Sequence, residues 1–298
     1  MPAKIKVILN THGGRLDPQA KIASIERGMA AAGAKYTLDL TEYSNHACEL
    51  AQQAALDGWP VVVAAGGDGT IGEVVNGLMR AGEDKPCPTL GIIPLGSAND
   101  LADGLELPRE VSAVCHRIMQ GKTRPIDLGL VNGHYFANNS AVGLEPVVTQ
   151  EQEQMRQLLH GTPRYVVAAL RCIRKAKPWQ VRMEWDQGAF EGPITLVSVG
   201  NGSRTGGAFY MTPQAQLDDG LLDFVYAYGL SSWQILKLFP KTLTGKHIDH
   251  PLVKYQRTKF LSISIDPTSP LQADGEIISD NATDVNYQVI PNRLRVIV

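Results

Sequence analysis

Val61-Val62-Val63-Ala64-Ala65-Gly66-Gly67-Asp68-Gly69-Thr70 is a short apolar run that stops at two glycines, an aspartate, a third glycine and a threonine. The run is β-branched and too short for a helix, whereas Ile71, Val74, Val75 and Leu78 after it recur at helical spacing with one apolar face. The glycines therefore join a buried strand to a helix. Such a junction suits an anion, because glycine lets the backbone approach closely and the first helical N–H groups, at the positive end of the helix dipole, point at the bound group. A carboxylate among phosphates is repelled unless a divalent cation or a lysine lies between, so the work expected of Asp68 is to organise Mg2+ or water. A tight strand-to-helix turn with no ligand is the competing reading of these residues taken alone.

On both sides the same beat repeats. Residues 4–9 form a strand pattern that ends in the polar loop Asn10-Thr11-His12-Gly13-Gly14, and residues 19–32 carry helical apolar spacing through Ile22, Ile25 and Met29. A strand through Tyr36, Leu38 and Leu40 ends at Thr41, and Asn45 is placed to cap a helix through Ala47, Leu50, Ala51 and Ala54. Beyond the opening loop, Leu90-Gly91-Ile92-Ile93 is another short strand, broken at Pro94-Leu95-Gly96-Ser97-Ala98-Asn99-Asp100, and Val111, Val114, Cys115, Ile118 and Met119 mark the next helix. Regular alternation of this kind implies a parallel, doubly wound, Rossmann-like α/β sheet, whose ligands gather at the carboxyl ends of the strands. The loops at Asn10, Thr41, Gly66 and Pro94 all fall there.

After Gly121 the rhythm changes. Residues 126–131, 135–142, 179–185, 194–199, 222–228 and 260–265 are strand candidates without regular intervening helices, and two helical segments, 151–175 and 232–243, interrupt them. Two domains are expected: an α/β domain over 1–125 and an antiparallel β-sandwich domain over 126–298. The working picture puts the active-site cleft between them and leaves the last strand free to fold back toward the first domain. A length of 298 residues suits two cores. The net charge of −2 lacks the basic footprint of a nucleic-acid binder. No apolar run approaches the roughly 20 residues of a membrane span. The chain enters a strand pattern at once, with no basic leader and apolar stretch, so a cytoplasmic location is expected. Cys48, Cys87, Cys115 and Cys172 lack metal-ligand spacing.

Five motifs in order, residues 66–70, residues 94–102, Ile126-Asp127-Leu128-Gly129, Leu217-Asp218-Asp219-Gly220-Leu221-Leu222-Asp223 and Asp274-Gly275-Glu276, resemble the diacylglycerol kinase catalytic-domain family, which includes bacterial soluble lipid kinases and sphingosine kinases. The resemblance spans nearly the whole chain. It implies transfer of the γ-phosphoryl group of ATP to a lipid hydroxyl, with Mg2+ as cofactor, nucleotide on the first domain and lipid against the second. In that frame Gly66, Gly67, Asp68, Gly69 and Thr70 cradle phosphate, and Gly96, Ser97 and Asn99 supply a second wall. Asn10, Thr11 and Thr41 are plausible nucleotide contacts with less specific signals, for which ordinary loop capping is the favoured reading. The resemblance places Mg2+ on the Asp219 carboxylate and the backbone carbonyls of Gln216 and Leu221, a turn that by itself reads as an ordinary hairpin. It also makes residues 274–276 the catalytic acid/base segment, with Asp274 expected to take the hydroxyl proton and Glu276 as the alternative or a partner.

Some positions depart from the commoner bacterial pattern: Asn10-Thr11-His12 stands for an Asn-Pro pair, Ser97 for threonine and Gly72 for asparagine. None removes an indispensable group. Residues 164–171 with Arg174, Lys175 and Lys177, and residues 233–239 with Lys241 and Lys246, combine apolar faces with basic flanks and suit either peripheral membrane contact or core packing. A homo-oligomer is left open. The nearest rival function is an NAD kinase-like phosphotransferase, which shares the Gly-Gly-Asp-Gly loop but not the later motifs. A non-catalytic lipid or nucleotide carrier is the third reading, against which Asp68, Asp219, Asp274 and Glu276 all speak.

Overall fold

The computed structural model describes residues 4–12, 17–82, 87–155, 162–174 and 177–298. Gly13, Gly14, Lys175 and the side chains of Arg164 and Tyr165 lie outside the described residues. The chain divides into two compact units, Met1–Ile126 with Asn292–Val298, and Asp127–Pro291.

In the first unit, β1 (Ile5–Leu9), β2 (Tyr36–Leu40), β3 (Val61–Gly66) and β4 (Thr89–Pro94) run parallel in the order β2-β1-β3-β4. The end of the chain's last strand joins β4 in parallel at Val296 opposite Leu90. The helices are α1 (Pro18–Ala31), α2 (His46–Leu56), α3 (Asp68–Arg80), α4 (Asp100–Gly104) and α5 (Val111–Gln120). α1 packs on α5 and α2 on α3. Ile5, Val7, Val63 and Ile93 meet Ile25, Met29, Val114 and Ile118 in one cluster, while the alternate residues Ile8, Val62, Ala64 and Ile92 are equally buried. Burial of both strand faces explains why β3 reads as a continuous apolar run.

One local expectation fails in this unit. Asn45 does not cap α2 with its side chain and instead adopts a left-handed φ of +67°. The carboxylate of Glu73, on the packed helix α3, accepts the N–H groups of Asn45 at 2.9 Å and Ala47 at 3.1 Å. A charged acceptor that satisfies two orphan donors displaces a neutral side-chain cap.

The second unit contains β5 (Thr123–Val131), β6 (His134–Phe136), β7 (Asn139–Gly143), α6 (Leu144–Gln154), α7 (Thr162–Ile173), β8 (Trp179–Trp185), β9 (Gly188–Ile194), β10 (Leu196–Gly200), β11 (Leu222–Ala227), α8 (Ser232–Leu238), β12 (Val253–Thr258), β13 (Phe260–Ala273) and β14 (Glu276–Ile297). Its strands pair antiparallel in the order β12-β11-β10-β7-β13-β14, with β8 on β13, β9 on β8 and β6 on β5. Phe136, Met183, Val197, Phe224, Ile263 and Tyr287 are among the buried residues of its core.

Several boundaries differ from the sequence reading: β13, expected over 260–265, runs on to Ala273, and β9, β12 and β14 lie outside the expected strands. The single strand expected over 135–142 breaks between β6 and β7, because the N–H groups of Ala137 and Asn138 turn to the Asp274 carboxylate. The helix expected over 151–175 is two helices, and α6 starts already at Leu144; its first turn holds Pro146, which costs little there because the proline's missing N–H would have had no helical partner. The helix expected to run to residue 243 gives way to a 3-10 turn at Phe239–Thr244, where Pro240 cannot donate the next helical bond.

Candidate active site

The carboxyl ends of the four parallel strands carry every residue expected to touch nucleotide. Asn10, just past β1, donates from its N–H to Ala65 O at 3.0 Å and from Nδ2 to Thr70 Oγ1 at 3.0 Å. Thr41, past β2, is buried and donates its N–H to Leu9 O at 3.0 Å. Leu95, past β4, donates to Gly66 O at 2.8 Å. Thr11 belongs to the Asn10 loop, and Ser97 stands exposed on the 94–99 loop.

The loops at β3 and β4 touch backbone to backbone. A Cβ at Gly96 would come within 2.5 Å of Gly67 Cα, and one at Gly67 within 3.2 Å of Gly96 Cα. Only glycine permits that approach. Asn99, itself at φ +58°, holds the 94–99 loop closed by accepting from Gly96 N at 2.9 Å and donating to Gly96 O at 3.0 Å. Asp68 then clasps the pair: its Oδ2 accepts the Asn99 N–H at 2.7 Å. Its Oδ1 is buried and has no hydrogen-bond partner among the described residues. Burial pushes the Asp68 carboxyl above its usual range, against the pull of backbone N–H groups led by that of Asn99. Gly67 precedes α3 without a side-chain cap, so the helix's first N–H groups are not taken by a capping side chain. Asp68 thus has a structural task that the sequence did not disclose, and an orphaned oxygen that suits a cation or its water.

Lys21 was missed in the sequence. It is 1% exposed, and its Nζ donates to the carbonyls of Asn10 at 3.2 Å and Thr11 at 3.1 Å. Burial lowers its pKa. The signal was present in its place four residues before Ile25 on the buried stripe of α1. The cation shapes the first loop from beneath by gathering two carbonyls that would otherwise repel each other.

In the second unit, Asp274 adopts a left-handed φ of +47°. Its Oδ2 accepts from Ala137 N at 2.8 Å, and its Oδ1 from Asn138 N at 2.9 Å and Asn139 N at 3.0 Å. Its own N–H donates to Asn139 O at 2.7 Å. The carboxylate therefore sits in a nest of three successive amides, and Glu276, two residues on, is exposed. Gly275 N donates to Gln272 Oε1 at 2.8 Å.

Local hydrogen bonds and one arginine hold the turn that carries Gln216, Asp219 and Leu221. Leu221 N donates to Asp219 Oδ1 at 3.1 Å, Gly220 N to Asp127 Oδ2 at 2.7 Å and Asp127 N to Leu217 O at 2.7 Å. Arg257 lies opposite Asp223 in the β11–β12 register, and its guanidinium pairs with both Asp223 and Asp219. Burial raises the Asp223 carboxyl, while Tyr255 and Arg257 pull it back. One carboxylate and two carbonyls make a donor set that suits Mg2+. With Arg257 already neutralising Asp219, however, the turn as it stands does not fit a second cation. Among the described residues no group of three or more His, Cys, Asp or Glu side chains is arranged to hold a metal.

A parallel α/β unit with paired glycine loops at its strand ends is thus followed by an antiparallel unit with an acidic turn. Residues 4–131 match the diacylglycerol kinase catalytic domain, and residues 139–298 match the YegS C-terminal NAD kinase beta sandwich-like domain. The diacylglycerol kinase of Bacillus subtilis (strain 168) is 30% identical over 92% of this chain and 89% of its own length. That of Staphylococcus carnosus (strain TM300) is 28% identical over 93% of this chain and 89% of its own. A crystal structure from Bacillus anthracis str. Sterne, described as that of a candidate diacylglycerol kinase, superposes with a TM-score of 0.81 at 25% identity, covering 99% of this chain and 96% of the other. The chain belongs to the diacylglycerol kinase family.

Proposed function

We propose that this protein transfers the γ-phosphoryl group of ATP to a hydroxyl of a lipid such as diacylglycerol or a related glycerolipid or sphingolipid. The observation that carries the reading is the backbone contact of Gly67 with Gly96 under the Asp68–Asn99 clasp, which sets the uncapped start of α3 beside the 94–99 loop, where phosphoryl transfer would hold charge. The first N–H groups of α3 and the 94–99 loop bind the phosphates, Ser97 adds a hydroxyl donor, and Asn10, Thr11 and Thr41 hold the rest of the nucleotide. The orphaned Oδ1 of Asp68 would hold Mg2+ through water. When bound, that ion neutralises phosphate charge and draws electrons from the transferred group. No step is assigned to a metal at the Asp219 turn, where Arg257 supplies the positive charge.

On the second unit, Asp274 takes the acceptor's proton. The three amide donors fix the direction in which its carboxylate points before the acceptor arrives. Glu276 assists beside it. The acyl chain occupies an apolar cavity in the same unit, walled by α6, α7, α8, β10 and β11, with Leu144, Val148, Ala169, Val225 and Ile235 among its lining. Trp233, 70% exposed, and Leu236, on α8 beside Lys237 and Lys241, suit transient contact with a membrane surface from the cytoplasm. None of the described helices is long and apolar enough to cross one.

ATP labelled on the γ-phosphate, offered with Mg2+ and a panel of diacylglycerol, monoacylglycerol, sphingosine, ceramide and NAD, tests the reading. Label is expected in lipid and increases with anionic vesicles. Label in NAD alone would replace the lipid by a nucleotide acceptor, and none in any acceptor would leave a carrier.

A further inference from the structure

The glycine-rich turn at residues 201–207 follows β10, and its first residue lies deep in the second unit: Asn201 is 1% exposed. Its side chain donates twice from Nδ2, to Asp127 O at 2.9 Å and to Ala137 O at 2.8 Å. Both neighbours are carbonyls, so the NH2 half must face them, and Oδ1 makes no hydrogen bond among the described residues. The Asn201 N–H donates to Asn138 O at 2.9 Å, and the Gly202 N–H donates to the same oxygen at 2.8 Å. A Cβ at Gly202 would overlap Asn138 Oδ1, so the turn closes on residue 138 with glycine there.

These carbonyls belong to the peptides that hold Asp274. A peptide group joins the C=O of one residue to the N–H of the next, so Ala137 O shares its peptide with Asn138 N, and Asn138 O with Asn139 N. Those two N–H groups are the donors to Asp274 Oδ1. Asn201 therefore grips both peptides from behind, one through its side chain and the other through its backbone. A buried carbonyl needs a donor, and a peptide whose carbonyl accepts a bond donates more strongly from its N–H. The side chains of the nest are pinned separately: Asn138 Nδ2 donates to Arg204 O at 2.6 Å, Thr205 Oγ1 to Asn139 Oδ1 at 3.0 Å, and Asn139 Nδ2 to Oε1 of Glu145, in the first turn of α6, at 2.8 Å. The second bond of Asn201 Nδ2 ties the nest to Asp127, whose Oδ2 accepts the Gly220 N–H.

We propose that Asn201 is a positioning residue for phosphoryl transfer: its amide holds the 137–138 peptide so that Asp274 Oδ1 is aimed before the acceptor hydroxyl arrives. This rests on the reading of Asp274 as the base in the lipid kinase function above. Asn201 reaches the base only through the peptides, so it acts by alignment, and misplacing a reacting group by about 1 Å costs on the order of 100-fold in rate. Asn201→Asp keeps the shape of the side chain and removes its donors, and Asn201→Ala removes them without adding a charge. Thr212→Val is the matched control: Thr212 is also 1% exposed, and its hydroxyl donates to Gly202 O at 2.8 Å, so the variant strips one bond from the same turn and keeps every bond of Asn201.

The test measures transfer of labelled phosphate to whichever acceptor of the panel above the wild type uses, together with thermal unfolding and amide hydrogen exchange. Both Asn201 variants should lower kcat about 10- to 100-fold with KM for ATP and acceptor within about twofold of the wild type. Adding Asn201→Ala to Asp274→Asn should lower kcat by less than about a further twofold, because the base it aims is already gone. Thr212→Val should lose stability as the Asn201 variants do and keep kcat within about twofold. The Asn138 and Asn139 amide protons should exchange at least about tenfold faster in the Asn201 variants and at the wild-type rate in Thr212→Val. That exchange pattern in a protein that phosphorylates no acceptor would sustain the tie between Asn201 and the nest and defeat the kinase reading. Wild-type kcat in a folded Asn201 variant, an equal fall in kcat with and without Asp274, the same fall in Thr212→Val, or unchanged exchange at Asn138 and Asn139 would overturn the inference.

Discussion

Replacing Asp68 separates what it does for the fold from what it does for phosphate. Its Oδ2 takes the Asn99 N–H, so Asp68→Ala leaves that amide without an acceptor, and Asn99 is what closes the 94–99 loop. An unsatisfied amide costs about 1–3 kcal/mol, and losing the acidic group from the first turn of α3 adds about 0.3–1 kcal/mol. Asp68→Asn keeps an oxygen for the amide and removes only the charge. Because burial raises the Asp68 carboxyl above its ordinary value of 3.8, ionisation opposes folding: the nucleotide-free protein loses stability as pH rises from about 3.8 through the raised value. At pH 7.5 Asp68→Asn should therefore be as stable as the wild type or slightly more so, and Asp68→Ala less stable by about 2 kcal/mol, read from the urea unfolding of the first unit. Turnover should fall about 100-fold or more in both, since neither presents a charged oxygen where Oδ1 lies. Asp68→Asn as unstable as Asp68→Ala would refute the clasp, and wild-type turnover in Asp68→Asn would refute the role in catalysis.

Asp274→Asn should lower kcat by about 100-fold or more and also destabilise the second unit by about 2 kcal/mol, because an NH2 group must face one of three amides. Glu276→Gln, on an exposed side chain, should leave denaturation unchanged and keep at least about a tenth of kcat; the reverse ranking of the two variants would pass the base role to Glu276. Glu145, driven by burial to about 7 from 4.5, makes folding less favourable as pH rises from about 4.5 to about 7, so Glu145→Gln should gain stability over the wild type across that window, by up to about 3 kcal/mol. The difference between the two proteins isolates Glu145 from His247 and Tyr287, and a pH-independent difference would exclude the buried charge. Millimolar Mg2+ should leave the thermal unfolding of the nucleotide-free wild-type second unit unmoved and raise that of Arg257→Ala, in which Asp219 is released; an equal shift in both would show that the ion displaces the arginine.

What could be read from the sequence follows the range over which each signal acts. The 66–70 loop was legible because strand, glycines and helix are contiguous, and the parallel sheet followed from their repetition. That Gly67 and Gly96 touch was not legible, since two glycines in separate loops carry no mark of each other until β3 and β4 pair. Asn45 looked like a cap because capping is a local rule, and Glu73, 28 residues on, overrode it. Arg257 and Asp223 share no sequence neighbourhood at all; only the β11–β12 register sets them opposite each other. Lys21 and Glu145 were hidden for another reason: each is a charged residue on a buried helical face, where pattern reading expects an apolar one.

Those exceptions point one way. Asp68, Asp274 and Glu145 are each held by backbone or amide donors, and Lys21 holds carbonyls by the same logic. Such a carboxylate cannot swing toward a substrate, so its orientation is fixed before the ligand arrives, and the cost of desolvating it is borne by the fold rather than by the reaction. Ser97, by contrast, is exposed. Substitutions at the anchored acids should therefore change stability and turnover together unless the anchoring oxygen is kept, whereas substitution of Ser97 should change turnover alone. That difference, more than burial or proximity, distinguishes the acids built into this fold from the groups that a ligand must order for itself.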